Sequence, residues 1–271
     1  GTYDRFRAWE LAFNEVYAEA QKTQPWKQWA EDGARQMVES GTTAAADIVT
    51  DLDAAGALAS QGMHGIAYWE VMGWHNAEWM EKGRTELIRQ LRRMNEEQLP
   101  NLGISPHAPY TLESEPFVDL PDIARQLNMR LHIHLAETPL EAGTYPPVLT
   151  TYSAADWSDH DWESYRQLKE VGKGASAIQF VDQLGSLGPD VHIAHGVWAN
   201  GEDRRILRQR GVGVALCPRS NRITNTGKDV PVREYLEEGN LVSVGTDSLS
   251  STPTLDLLDD VSMLYDLARE Q

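Results

Sequence analysis

Seven short apolar segments recur along the chain, each closing on polar residues, and between them lie stretches whose apolar residues fall at helical spacing. The segments are "TTAAADIV" (42–49), "GIAYWEVM" (65–72), "NLGISPH" (101–107), "RLHIHLAE" (130–137), "DVHIAHGV" (190–197), "GVGVALCP" (211–218) and "NLVSVGTD" (240–247). "AEWMEKGRTELIRQLRRM", "LPDIARQLNM" and "GEDRRILRQR" are the clearest helical stretches between them. Glycine or asparagine just ahead of several strands, as in "RQRGVGV", "EEGNLVSV" and "VESGTTAA", suits a helix C-terminus turning into the sheet. Residues 1–30 also carry helical spacing, and Pro25 interrupts them, so they predict helix rather than strand.

Strand and helix in alternation predict an α/β protein with a parallel sheet. Strands that are nearly continuous in apolar residues are buried on both faces, and seven such units point to a (β/α) barrel. An open doubly wound sheet is the competing architecture. No glycine-rich dinucleotide or phosphate-binding turn follows any strand, so that architecture has no visible site for its usual chemistry. The expectation is one catalytic barrel domain spanning residues 1–271, although 271 residues with 41% hydrophobic content would also suffice for two ordinary domains.

A net charge of -17 and a pI near 4.8 argue against a nucleic-acid backbone or an anionic membrane surface as partner, because the long-range field repels both. A small neutral or cationic substrate is compatible with that field, and a homo-oligomer is not excluded. The single cysteine, Cys217, rules out an internal disulfide and a multi-cysteine zinc site, which fits a reducing, cytoplasmic setting. No apolar run approaches a membrane span, and "GTYDRFRAWE" lacks the basic start and apolar core of a signal peptide. The chain does not begin with methionine, which suggests a piece of something longer.

In a barrel the reacting groups sit at the C-terminal ends of the strands. There this chain places His107, then His134 and Glu137, then His195, Asn221 and Asp247, on successive segments. His132 and His134 share a strand face, with His134 nearer the mouth. One buried histidine is ordinarily a hydrogen-bonded packing residue; His, His, Glu and Asp converging from four strand ends are not explained that way. Imidazole and carboxylate together suit Zn²⁺ or Fe²⁺ with one position open to water. Glu137, three residues past His134, is placed for general acid/base work beside such an ion.

"ISPHAPYT", "HIHLAE", "IAHGVWAN", "ALCPRSN" and "VGTDSLSSTPTLDLL", in this order and each at a strand end, resemble the amidohydrolase superfamily. The similarity is to its branch of nucleoside and purine deaminases and triazine hydrolases, and it covers the chain from about residue 31 onward. The resemblance implies an eight-stranded barrel and one divalent metal, zinc or iron, with His134 and Asp247 as ligands. It implies that Asp247 also takes a proton from the attacking water, that Glu137 protonates the substrate ring and assists the leaving amine, and that His195 hydrogen-bonds the nucleophile. His107 would contact substrate. Glu70 and Trp74, in "YWEVMGW", are offered for ribose hydroxyls or stacking, with core packing the competing role for the tryptophan. His192 and Cys217 read as structural. The segment 138–165 lies on the mouth side as a lid or an ordinary loop.

The family's first strand carries a His-x-His pair that supplies two more ligands, and nothing before His64 is a histidine. The seven segments therefore correspond to the second through eighth strands, with the first expected upstream of Gly1 and the family's terminal β-sandwich missing. On that expectation the metal site of this chain is incomplete, with weak or absent metal. The resemblance implies hydrolytic deamination of an adenosine-type nucleoside, with "HGIAYWEVMGW" and "CPRSN" pointing toward aminodeoxyfutalosine and menaquinone biosynthesis. Triazine hydrolysis and guanine deamination are the enzymatic alternatives, and a metal-free barrel used as a binding module is the alternative of another class.

Overall fold

The computed structural model describes residues 2–96, 99, 101–143, 168 and 170–271; most of the segment proposed as a lid, from residue 144 onward, lies outside them. Seven strands form one sheet: β1 (Ala44–Val49), β2 (His64–Val71), β3 (Leu102–Pro106), β4 (Arg130–Leu135), β5 (Val191–His195), β6 (Gly213–Leu216) and β7 (Leu241–Val244). Every neighbouring pair is parallel and the spatial order equals the chain order, β1 to β7. A doubly wound sheet would reverse its order at a switch point. Here each unit adds its strand on the same side, so the sheet curls as a half-barrel and the barrel reading holds.

Strand periodicity builds the wall. On β4, Leu131, Ile133 and Leu135 are fully buried on the helix side, while His132 and His134 take the other face. Ile133 pairs with Ile193 of β5 in the middle of the sheet. Truncating it leaves a cavity that its neighbours on both sides keep open, so Ile133→Ala is expected to cost about 2–5 kcal/mol in urea unfolding. A loss below about 1 kcal/mol would mean that this layer is loosely packed.

The helices follow the spacing. Phe6–Thr23 (α1) and Trp26–Glu39 (α2) are helical, with Pro25 at the N-terminal boundary of α2. The stretch from residue 77 is more broken than its periodicity predicts: a π-helical turn, Trp79–Gly83, precedes α3 (Arg84–Glu96). Ser114–Gln126 (α4) begins ahead of the stretch that periodicity marks, with Pro121 inside it. Proline cannot donate to the carbonyl one turn back. That carbonyl, on Phe117, instead accepts a 2.7 Å bond from the Ser186 hydroxyl, which satisfies the freed oxygen. Ala177–Gln183 (α5) and Gly201–Arg210 (α6) follow, the latter capped by reciprocal bonds between Asn200 and Asp203 and closed by left-handed Gly211 (φ 71°). Pro218–Thr224 (α7) and Val232–Glu237 (α8) follow β6 in the chain, and Leu257–Glu270 (α9) follows β7. None of the helices among the described residues is long and apolar enough to cross a membrane.

The N-terminal segment reaches the same end of the sheet as the strand C-termini. Tyr3 N–H donates to Ile223 O at 2.9 Å, Asn225 Nδ2 to Asp4 O at 2.6 Å, and Trp9 Nε1 to Ser250 O at 2.9 Å. These contacts seat the start of α1 on the loops after β6 and β7. Phe6 is buried there, and Trp9 and Phe13 stack in sequence above it.

Candidate active site

Because the seven strands are parallel, their C-terminal ends share one rim, and the ionisable residues of the sequence meet there. The rings of His107 and His134 lie 4.7 Å apart between centroids, and those of His134 and His195 lie stacked at 5.5 Å. Glu137 is 4% exposed; its Oε1 lies 3.5 Å from His195 Nε2, and its Oε2 accepts from the Tyr110 hydroxyl at 3.2 Å. Glu70 Oε1 lies 3.9 Å from His107 Nε2. Donor atoms of Glu70, His107 and His134 all fall within 4.8 Å of one another. Glu70 and His107, expected from the sequence to face substrate, stand close enough to His134 to share a cation with it.

Asp247 lies on the loop after β7, where both carboxylate oxygens are held. Ser220 Oγ donates to Oδ2 at 2.6 Å and the Ser248 N–H to Oδ1 at 2.7 Å. Burial works against its charge, but His195, the Ser220 hydroxyl and His134 outweigh that and hold it below the usual carboxylate range. Trp74 is placed differently. Its ring meets Trp79 edge-on at 6.1 Å with the Lys82 ammonium 5.9 Å from its centroid, and none of its ring contacts or hydrogen bonds among the described residues reaches the cluster.

Strand parity alone would send His195 toward the helices, because it pairs with Leu135. A positive φ of 76° at His195 breaks the alternation, and its ring ends beside His134. Ala136 (φ 53°) and Asp247 (φ 62°) are also left-handed. Non-glycine residues hold that conformation at a cost of order 1 kcal/mol or more, and they collect where surrounding contacts enforce them. Three of them lie at the ends of β4, β5 and β7, on or next to groups of the cluster.

The imidazoles are oriented by what their Nδ1 atoms touch. His134 Nδ1 bonds the carbonyl of His107 at 3.1 Å, His107 Nδ1 the Thr111 hydroxyl at 2.9 Å, and His195 Nδ1 the side-chain oxygen of Asn221 at 3.0 Å. A carbonyl oxygen only accepts, so His134 and His195 carry their proton on Nδ1 and offer the Nε2 lone pair to the site. Burial, reinforced by neighbouring imidazoles, lowers His107 and His134 to about 4, which leaves both neutral near pH 7. Burial opposes charge on His195 too, but Glu137, Asp247 and Asn221 together raise it. Burial also raises Glu137, against the pull of His195 and Tyr110, so both members of the buried pair are shifted toward their protonated forms. Neutral imidazole Nε2 atoms with an adjacent carboxylate form a donor set that suits a zinc- or iron-like divalent cation.

Four participants escaped the sequence reading. Tyr110 and Thr111 come from "PHAPYT", Ser220 follows β6, and Glu141 sits behind Glu137 with zero exposure. Glu141 had a legible signal: "TPLE" after the strand is a Thr-x-x-Glu capping box with proline at its first helical position, and the structure forms that box. Asn221, noted only as following its strand, holds His195 through its oxygen and leaves its buried Nδ2 without a partner among the described residues.

Residues 4–144 and 150–271 match the model of the amidohydrolase family. The chain is 30% identical over 235 residues to the 5-methylthioadenosine/S-adenosylhomocysteine deaminase of Thermococcus kodakarensis, covering 85% of this chain and 49% of that protein. It thus spans about half the length of the curated relatives it matches. Two solved structures share the fold. The Helicobacter pylori aminofutalosine deaminase superimposes with a TM-score of 0.69 at 20% identity, over 91% of this chain and 60% of that one. A zinc-bound adenosine deaminase from Xanthomonas campestris gives 0.67 at 22% identity, over 90% and 52%. With a family match over nearly its whole length, five motifs in order and a curled parallel sheet bearing histidines and carboxylates at its rim, this chain belongs to the amidohydrolase family.

Proposed function

We propose that this protein contributes the catalytic rim of a metal-dependent hydrolytic deaminase acting on an adenosine-type nucleoside, with release of ammonia. The observation that supports this most is the buried Glu137–His195 pair, 3.5 Å apart, beside the neutral imidazole of His134 and the ionised carboxylate of Asp247. An acid, a base and a ligand-ready histidine in one dry rim are what a hydrolytic exchange of amine for oxygen needs.

The residues divide the work. His134 and Asp247 are the proposed metal ligands, and Glu70 and His107 lie near enough to His134 to complete or replace the set. A bound divalent cation, zinc for preference, lowers the pKa of a water from about 15.7 toward about 7. Asp247, kept ionised by Ser220 and Ser248, accepts the proton of the attacking water. Glu137, whose carboxyl burial shifts toward the protonated form and Tyr110 aims, donates to the ring nitrogen. The proton held by Asp247 passes to the amino group, which leaves as ammonia when its bond to carbon breaks, and Glu137 takes back the hydroxyl proton as a carbonyl remains. His195, fixed by Asn221, stays within reach of Glu137 and of the nucleophile. The free Nδ2 of Asn221 is a buried donor available to the substrate.

The name of the Thermococcus relative supports an adenosine-type substrate. The motifs "HGIAYWEVMGW" and "CPRSN" suggest aminodeoxyfutalosine and a place in menaquinone biosynthesis as the narrower choice. The single cysteine supports a cytoplasmic setting. Ammonia release with 5-methylthioadenosine, S-adenosylhomocysteine, 5'-deoxyadenosine and aminodeoxyfutalosine, run beside guanine and a chlorinated triazine, tests the reading. Turnover confined to the adenosine-type compounds and abolished by chelation is the expected result. Activity on guanine or the triazine alone would replace it, and a metal-free protein that binds nucleoside without turnover would leave a binding module.

A further inference from the structure

The geometry points to Glu141 as a positioning residue that holds the general acid Glu137 in register with His195; this rests on the reading of Glu137 given above. Glu137 lies two residues past the end of β4, where no ladder bond of the strand controls it. What controls it is the carboxylate of Glu141. Oε1 accepts from the N–H of Ala136 at 2.8 Å, and Oε2 accepts from the N–H groups of Glu137 and Thr138, both at 2.9 Å. The Thr138 hydroxyl adds a longer contact to Oε2 at 3.4 Å. Three consecutive backbone donors thus converge on one buried carboxylate, and the middle donor belongs to Glu137 itself.

Helix capping alone does not account for this arrangement. The helical turn that Glu141 caps, Pro139–Glu141, is three residues long, too short for its own stability to justify a fully buried carboxylate. Among the described residues Glu141 is held by these donors rather than by a basic side chain. Its interactions are therefore directed at the segment 136–138. That segment includes Ala136 in a left-handed conformation, whose carbonyl takes a 2.7 Å bond from the N–H of Trp198, two residues beyond Gly196. The Glu137 backbone is consequently clamped from below by Glu141 and, through Ala136, from the side by the loop after the strand that carries His195. Its side chain lies in the slot between His195 Nε2 and the Tyr110 hydroxyl.

Glutamine at position 141 keeps the volume but replaces one acceptor oxygen with an N–H₂ group facing backbone donors. The experiment compares Glu141→Gln, Glu137→Gln and the double variant in the metal-loaded protein, by steady-state deamination and by the amide proton shifts of residues 136–138. Glu141→Gln is expected to lower kcat about tenfold with KM changed less than twofold, while metal content stays unchanged. In the Glu137→Gln background the same change is expected to cost less than twofold further, because the group it positions is already gone. The amide protons of residues 136–138 should move upfield where their acceptor oxygen is replaced. Equal losses in both backgrounds, or wild-type kcat in Glu141→Gln with Glu137→Gln impaired, would overturn the inference. Wild-type turnover in Glu137→Gln would instead sink the reading of Glu137. Glu141→Asp, which keeps the carboxyl group but draws it back by one methylene, is run alongside, so that a glutamine variant that does not fold leaves the same comparison standing.

Discussion

Glu137→Gln is expected to lower turnover of the preferred nucleoside by about a hundredfold or more while leaving metal content and fold intact. The magnitude follows from what the substitution removes. Glutamine keeps the shape of the side chain and can still accept from the Tyr110 hydroxyl, so the wall of the site is preserved. It cannot hand on a proton. Burial raises the Glu137 carboxyl, and His195 Nε2 stands 3.5 Å away to exchange a proton with it, so the wild-type residue is both shifted toward its protonated form and connected to a partner. Loss of a positioned acid of this kind costs about 10² to 10⁴ in rate, and binding of the ground state depends on it much less. Steady-state kinetics with metal analysis on the same preparation decide it. A variant that turns over within a few-fold of wild type would take Glu137 out of the proton path and leave His195 as the remaining candidate acid.

Much of this rim was legible in the sequence because a parallel strand announces its own end. The run Leu131, His132, Ile133, His134 fixes which face each side chain takes, and a shared parity with His132 puts His134 inside the curl. Asp247 was legible in the same way, as the first ionisable group after an apolar strand. His195 was found by its place in the chain but not by its direction. Parity assigns it to the face of Ile193, and only the positive φ at His195 turns it inward. No periodicity argument contains that information, because it is set by the carbonyl and amide contacts of the loop, such as Gly196 N–H to Leu135 O at 3.0 Å.

The residues that escaped are of two kinds. Tyr110 and Thr111 act through hydrogen bonds from a turn and Ser220 from the first turn of α7, where sequence carries little directional signal. Glu141 was readable as a capping box, but its depth was not. A carboxylate with zero exposure looks in sequence like any surface glutamate, and only three backbone donors converging on it show why it is tolerated there. The same limit applied to α4, where Pro121 argues for a helix start until the Ser186 hydroxyl is seen to occupy the carbonyl of Phe117. In each case a side chain distant in sequence satisfies a backbone group that local rules count as lost.

Asp247→Asn is expected to be the more damaging substitution, lowering turnover by about a thousandfold and weakening divalent metal binding as well. Asparagine is the clean probe because position 247 is left-handed, with φ 62°, a conformation asparagine tolerates nearly as well as aspartate. Alanine there would add backbone strain to the chemical loss and blur the result. In the wild type both oxygens accept bonds, from Ser220 Oγ and from the Ser248 N–H, and these donors together with His195 and His134 hold the carboxylate ionised. Asparagine keeps one acceptor and presents an N–H₂ to the other donor, so it loses the negative charge, the second accepting oxygen and the ability to take up a proton in one step. The Ser220 hydroxyl can turn to accept, and Ser251 already shares it at 2.9 Å, so the surrounding packing has a way to survive the change. The measurement is kcat and metal stoichiometry on dialysed protein, with a thermal melt as the control. An unchanged melt with both readouts depressed is the expected pattern. Wild-type metal content with turnover lost would keep Asp247 as base but remove it as a ligand, returning that role to Glu70, His107 and His134. Wild-type turnover would remove it from the chemistry altogether.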